Sequence, residues 1–136
     1  MAKVSIEVEV SFAGNNYSAN IPILPGCVTT GCSLAEIRKH IEEIVPFHLE
    51  GLREDKIEYP SFFDGEYEFI YKLSPEVLIK EFSGIFTKEA LSRVTGINKK
   101  QLHSYATGDR HPRPIQRQRI VNGLHQLGKH LLSVDM

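Results

Sequence analysis

Leu91-Ser92-Arg93-Val94-Thr95-Gly96-Ile97-Asn98-Lys99-Lys100-Gln101-Leu102-His103-Ser104-Tyr105-Ala106-Thr107-Gly108 reads as two short helices joined by a tight glycine turn. That is the pattern of a helix-turn-helix, a device that reads DNA. Leu91 and Val94 give the first helix an apolar stripe at i, i+3, and Ser92 is small where the two helices must approach. Gly96 supplies the turn, because a Cβ resists a left-handed backbone. Asn98 is placed to cap the second helix, with Gln101 three residues on able to answer it as in a capping box, and Gly108 stands where a helix C-terminus wants an αL residue. Within the second helix Leu102, Tyr105 and Ala106 point one way, which leaves Lys99, Lys100, His103, Ser104 and Thr107 on other faces.

Charge agrees with that reading. The net charge of −1 conceals a division: residues 1–73 hold 6 Lys+Arg and 12 Asp+Glu, net −6, and residues 74–136 hold 10 and 5, net +5. Between Thr87 and His130 nine basic residues (Lys88, Arg93, Lys99, Lys100, Arg110, Arg113, Arg117, Arg119, Lys129) face only Glu89 and Asp109. A polyanionic partner is the simplest explanation for the basic half. The chain has no apolar run near the length of a bilayer span, and its start, Met1-Ala2-Lys3-Val4-Ser5, alternates instead of opening a signal-peptide core, so a cytoplasmic protein without a membrane partner is expected. Cys27 and Cys32 lack a Cys/His quartet at zinc spacing and read as reduced thiols.

Upstream of the basic half the period changes. Val4, Ile6, Val8 and Val10 alternate with Lys3, Ser5, Glu7 and Glu9 as a half-buried strand. Gly14-Asn15-Asn16 is turn chemistry, and Tyr17, Ala19 and Ile21 resume the period of two as a hairpin partner. Pro25-Gly26 fits the centre of a type II turn ahead of a short third strand near Val28 to Thr30. Ser33-Leu34-Ala35-Glu36 is a capping box, and Ile37, Ile41, Ile44 and Val45 continue at helical spacing. Pro46 predicts a kink or break near Val45, after which Phe47, Leu49 and Leu52 would complete the apolar surface. Asp64-Gly65 is a turn, and Tyr67, Phe69 and Tyr71 then alternate as a fourth strand. Residues 1–73 are thus a β-β-β-α-β domain. Ser74-Pro75-Glu76 starts a helical second domain, residues 74–136, whose last helix repeats Ile120, Leu124, Leu127 and Leu131. That stripe needs burial, either on the other helices or in a dimer contact.

Leu24-Pro25-Gly26-Cys27-Val28-Thr29-Thr30-Gly31, then Ser33-Leu34-Ala35-Glu36, then His48-Leu49-Glu50-Gly51-Leu52 stand in register behind the alternating hairpin. In order and spacing they resemble the HicB antitoxins of bacterial HicA-HicB toxin-antitoxin pairs. The resemblance implies an α+β chain: a partial ribonuclease-H-like N-terminal domain without nuclease chemistry, followed by an all-α helix-turn-helix of Cro-repressor type. It implies two tasks, masking a small basic HicA-like toxin that cleaves mRNA and repressing the operon as a homodimer or higher oligomer on double-stranded operator DNA. Position by position it puts Lys99, Lys100 and Ser104 toward base edges and Asn98 toward phosphate, with Arg110 and Arg113 as backbone anchors. Gln101 and His103 are left to cap, to contact phosphate or to face water. Val45-Pro46-Phe47 departs from the family, whose other members run straight through the helix.

Catalysis is not expected. Glu7 and Glu9 lie on the outer face of an alternating strand without a third and fourth acid to complete a cation site, His103, His111, His125 and His130 match no zinc signature, and no Ser or Cys sits in a nucleophile elbow. No metal and no cofactor is called for. Two readings of function stay open: an antitoxin that represses its own operon, and a stand-alone regulator whose N-terminal domain senses a small ligand or another protein.

Overall fold

Strict alternation over residues 4–10 buries one side of a strand, and a strand so built needs neighbours and a cover. The computed structural model, which describes residues 3–136, supplies both. Met1 and Ala2, part of the alternating start, lie outside the described residues. The chain is a mixed α+β protein in two compact units that divide between Ser74 and Pro75. In the first, β1 (Val4–Ala13), β2 (Asn16–Asn20) and β3 (Val28–Gly31) run into α1 (Leu34–Glu54), a 3₁₀ turn (Ser61–Asp64) and β4 (Tyr67–Leu73). The sheet order is β3-β2-β1-β4; β1–β2 and β2–β3 pair antiparallel and β4 pairs parallel to β1.

Ile6, Val8 and Val10 of β1, Tyr17 and Ala19 of β2, and Ile37, Ile41, Val45 and Leu49 of α1 are all buried, so one helix covers one face of the sheet. Each buried aliphatic side chain contributes roughly 1.5–3 kcal/mol relative to exposure. The approach of α1 is close: a Cβ on Gly31 would stand 3.2 Å from Ile37 Cδ1. The expected type II turn is present, with Gly26 at φ 87° and Cys27 N–H donating to Leu24 C=O at 3.1 Å. Ser33 caps α1 by accepting from Glu36 N–H at 3.1 Å.

Of the kink or break expected near Val45, the break does not occur. Helix α1 runs unbroken from Leu34 to Glu54 with Pro46 inside it. The proline and Glu42, whose carbonyl loses a donor, are both exposed, so water can satisfy the carbonyl while Val45 and Leu49 stay anchored in the core. Continuity fixes the helical phase beyond the proline. Two residues past buried Val45 lies the opposite face, and Phe47 is 79% exposed instead of completing the apolar surface. Lys56, at φ 55°, takes the αL position beyond the helix end, where Ile57 N–H reaches back to Leu52 C=O at 2.9 Å. Arg53 then donates to Tyr59 at 2.7 Å and to Asp64 at 3.0 Å, and the Tyr59 hydroxyl donates to Asp64 at 2.8 Å. That hydroxyl first, and the guanidinium second, hold the Asp64 carboxyl below its usual range.

The second unit is helical: α2 (Pro75–Glu81), a 3₁₀ turn (Phe82–Gly84), α3 (Lys88–Thr95), α4 (Lys99–Thr107) and α5 (Pro114–Leu132). Its core joins Ile79, Leu91, Ile97, Leu102, Tyr105 and Ile120, with Leu78, Phe86, Ala106 and Leu124 packed around it. Of the α5 stripe, Ile120 is buried and Leu124 partly so, whereas Leu131 is 64% exposed. Helix α5 meets α3 at a glycine: a Cβ on Gly123 would fall 2.4 Å from Val94 C=O, but one on Gly128 would meet nothing within 4 Å. Among the described residues no helix is long and apolar enough to cross a membrane.

These two glycines should respond oppositely to alanine. Gly123→Ala is expected to lower stability by about 1–3 kcal/mol, because backbone and not a flexible side chain stands in the way. Gly128→Ala should raise stability by about 0.5–1 kcal/mol through helix propensity. Urea denaturation of the full chain measures both.

Candidate nucleic-acid interface

A helix presented to DNA must have its own polar ends satisfied and must be anchored by few side chains, so that the rest are free. Both conditions are met around α4. Thr87 caps α3 by accepting from Ala90 N–H at 3.1 Å. Gly96 ends it in the αL conformation at φ 75°, with its N–H donating to Ser92 C=O at 2.8 Å. The Thr95 hydroxyl, buried in the turn, donates to Leu91 C=O at 2.7 Å and accepts from Ile97 N–H at 3.2 Å. Ile97 is buried, which pins the connection between the two helices to the core. Asn98 opens α4 by accepting from Gln101 N–H at 2.8 Å, and Gly108 closes it at φ 83°.

Leu102 and Tyr105 hold α4 down. On its other faces Lys99, Lys100, His103 and Thr107 are exposed, and Gln101 and Ser104 are half-buried. Arg110 and Arg113 are exposed in the loop after α4, and Arg113 is the N-cap residue of α5 without a side-chain cap bond. The Asn98 side chain already serves as a cap through its Oδ1, which leaves only its amide NH₂ to meet a phosphate.

Lys99 and Lys100 are neighbours in sequence but not in circumstance. The Lys99 ammonium lies 3.0 Å from Glu89 Oε1, bridging the start of α4 to the start of α3, and both groups are well exposed. The Lys99 hydrogen bond and charge hold the Glu89 carboxyl below its usual range. In water such a pair is worth little and exchanges readily for a stronger anion. Sequence reading passed over this pairing because its partners are ten residues apart on different helices. It also passed over Arg119 as a site residue: its guanidinium lies beside the turn, 3.5 Å from where a Cβ on Gly96 would stand. Glu76 on α2, in turn, lies 3.1 Å from His111 Nδ1 in the basic loop.

No family model matches the chain. A search of curated proteins finds similarity to an uncharacterized 14.9 kDa protein from the rep-hol intergenic region of Haemophilus phage HP1, 37% identical over 46 residues. The match spans 34% of this chain and 35% of the phage protein, so each matches about a third of the other.

Releasing Lys99 should strengthen anion binding. Glu89→Gln is expected to tighten binding to duplex DNA of arbitrary sequence and to steepen its salt dependence by up to about one unit, as one more ammonium becomes available to phosphate. Fluorescence anisotropy across a salt series reads both. An unchanged salt slope would mean that Lys99 faces no phosphate.

Proposed function

We propose that this chain is an antitoxin of HicB type that represses its own operon: the second unit reads operator DNA as a helix-turn-helix dimer, and the first, a partial ribonuclease-H-like domain, masks a small basic mRNA-cleaving toxin. One observation carries the DNA half of this reading. Helix α4 is capped at both ends and anchored by Leu102 and Tyr105, yet exposes Lys100, His103 and Thr107, with Arg110 and Arg113 beyond it. Few other tasks call for a short capped helix with a basic outer face in a segment of nine basic and two acidic residues. The toxin half is supported by the HicB-like motifs and by the net charge of −6 over residues 1–73, which would steer a basic partner. No catalytic step is assigned to the chain. Every proposed contact is made by its own side chains, without a cofactor.

The alternative, a stand-alone regulator, has one observation in its favour. A groove of about 460 Å³ lined by Arg38, Glu42, Tyr67, Glu68, Phe69 and Tyr71 opens beside β4, and a small ligand with a polar end would suit it. A neighbouring reading frame for a short basic protein, toxic when expressed alone, separates the two.

The full chain should rescue growth when co-expressed with that neighbour's product. A Lys100→Ala, Arg110→Ala, Arg113→Ala variant should keep the rescue while losing repression of a reporter driven by the chain's own promoter. Singly, Lys100→Ala should cost about 1–3 kcal/mol at the operator and relax sequence preference, whereas the arginine variants should weaken all sequences alike. Footprints should be inverted repeats with half-site centres roughly 34 Å apart. Failure of rescue with repression intact would favour the stand-alone regulator.

A further inference from the structure

We infer that β4 is the seam of a two-fold dimer of this chain, in which the β4 strands of two copies pair antiparallel and join the two sheets into one. This inference does not depend on what the protein regulates or neutralises.

The order β3-β2-β1-β4 leaves β4 at an edge. Glu66 C=O accepts from Val4 N–H, and Ser74 N–H donates to Val10 C=O, so even-numbered residues turn their main-chain groups toward β1. Alternation along a strand then turns the N–H and C=O groups of Tyr67, Phe69, Tyr71 and Leu73 to the open side. Natural edges are usually blunted by shortness, charge, proline or a bulge, as the four-residue β3 is by shortness at the opposite edge. The two charges of β4, Glu68 and Lys72, are instead opposite in sign and attract a reversed copy of the strand. Strand β4 has seven residues in unbroken register with β1 and contains no proline.

The sequence of β4 is complementary to its own reverse. Centred on Ile70, antiparallel pairing sets Phe69 opposite Tyr71, Glu68 opposite Lys72 and Tyr67 opposite Leu73 of the second copy. This register uses the whole strand. It also suits the main chain: Phe69 and Tyr71, and Tyr67 and Leu73, whose N–H and C=O groups face outward, fall on hydrogen-bonded positions. Ile70 and the Glu68–Lys72 pairs fall on non-hydrogen-bonded positions, where side chains lie closest. Shifting the centre to Phe69 would instead set the Glu68 carboxylate against Ile70 of the other copy.

Two features of the single copy are accounted for by the seam. Ile70, 54% exposed on the outer face, would meet its own symmetry mate on the axis. On the helix side Tyr67, Phe69 and Tyr71 are only half-buried along the open groove beside β4, and the pairing brings an aromatic ring of the second copy to it. Lys72, 2.7 Å from Glu7 and near Glu9, would gain a second carboxylate contact from Glu68 of the other copy.

The test uses the full chain with the exposed Cys32 replaced by serine. Ile70→Cys should give a disulfide-linked dimer under mild oxidation, since Cα atoms at a non-hydrogen-bonded pair are about 4.5 Å apart, within disulfide reach. Glu68→Cys should not, because each introduced thiol would face Lys72 and lie about four residues along the strand from its mate. Sedimentation should show self-association weakened about tenfold or more by Glu68→Lys, and weakened also by Lys72→Glu, as two attractive pairs become repulsive. Mixing those two variants should restore it as a heterodimer. The inference is overturned if the Ile70→Cys chain stays uncrosslinked, if the Glu68→Cys chain links as readily as the Ile70→Cys chain, or if the charge variants associate like the parent chain. An edge taken by a different protein would show as the first of these.

Discussion

One helix has to cover one face of four strands. A helix with its side chains is about 10 Å across, while the outer strands of a four-stranded sheet stand about 14 Å apart, so α1 cannot shield every column equally. It lies nearest β3 and β2. Ile6, Val8, Val10, Tyr17 and Ala19 are consequently buried, while Tyr67, Phe69 and Tyr71 on the far strand stay half-covered although they share the face of Ile6 and Val8. The groove beside β4 follows from this geometry, at the edge where the strand order places that strand. Arg38, whose guanidinium lies 5.2 Å from the Tyr71 ring centroid, reaches from the helix toward those rings and softens the gap.

The second unit obeys a related economy. Its helices are short, and short helices are held by packing and caps instead of by propensity. Glycine permits the packing: Gly96 turns the chain through a left-handed residue, and Gly123 lets the α5 backbone approach Val94. With Thr87 and Asn98 meeting the helix ends and six buried residues meeting the core, exposed Lys100 and His103 take no part in the caps or the core, while Lys99 ties the start of α4 to Glu89. That freedom lets a basic surface be written there without cost to the fold.

Electrostatics act at two ranges in this chain. At contact range, Lys99 with Glu89 and Lys72 with Glu7 are exposed pairs that solvent screens and that a better partner can displace. At longer range, residues 1–73 carry a net charge of −6 and residues 74–136 one of +5, a division that these local pairs do not remove. The local pairs therefore tune which ammonium is available.

Local rules carried the sequence reading far. Alternation located β1, β2 and β4; Ser33, Asn98, Gly96, Gly26 and Gly108 marked caps and turns because each acts on atoms within four residues of itself. The basic surface of α4 was legible for the same reason, since two buried anchors and a helical period assign every other side chain a direction. Where the decision belonged to residues distant in sequence, the reading stopped. Pro46 argued for a kink or break, and the break does not occur: burial of Val45 and Leu49 under the sheet outweighed one lost hydrogen bond and put Phe47 in water. The pairing of Lys99 with Glu89 and of Arg53 with Asp64, the place of β4 at an edge beside β1, and the approach of Gly123 to Val94 are all set by packing between elements. Sequence alone determined the form and face of the segments whose caps, turns and periods are local; tertiary structure decided the continuity of α1 through Pro46, the face of Phe47 and which faces stay uncovered, because these depend on burial against neighbours that no local pattern records.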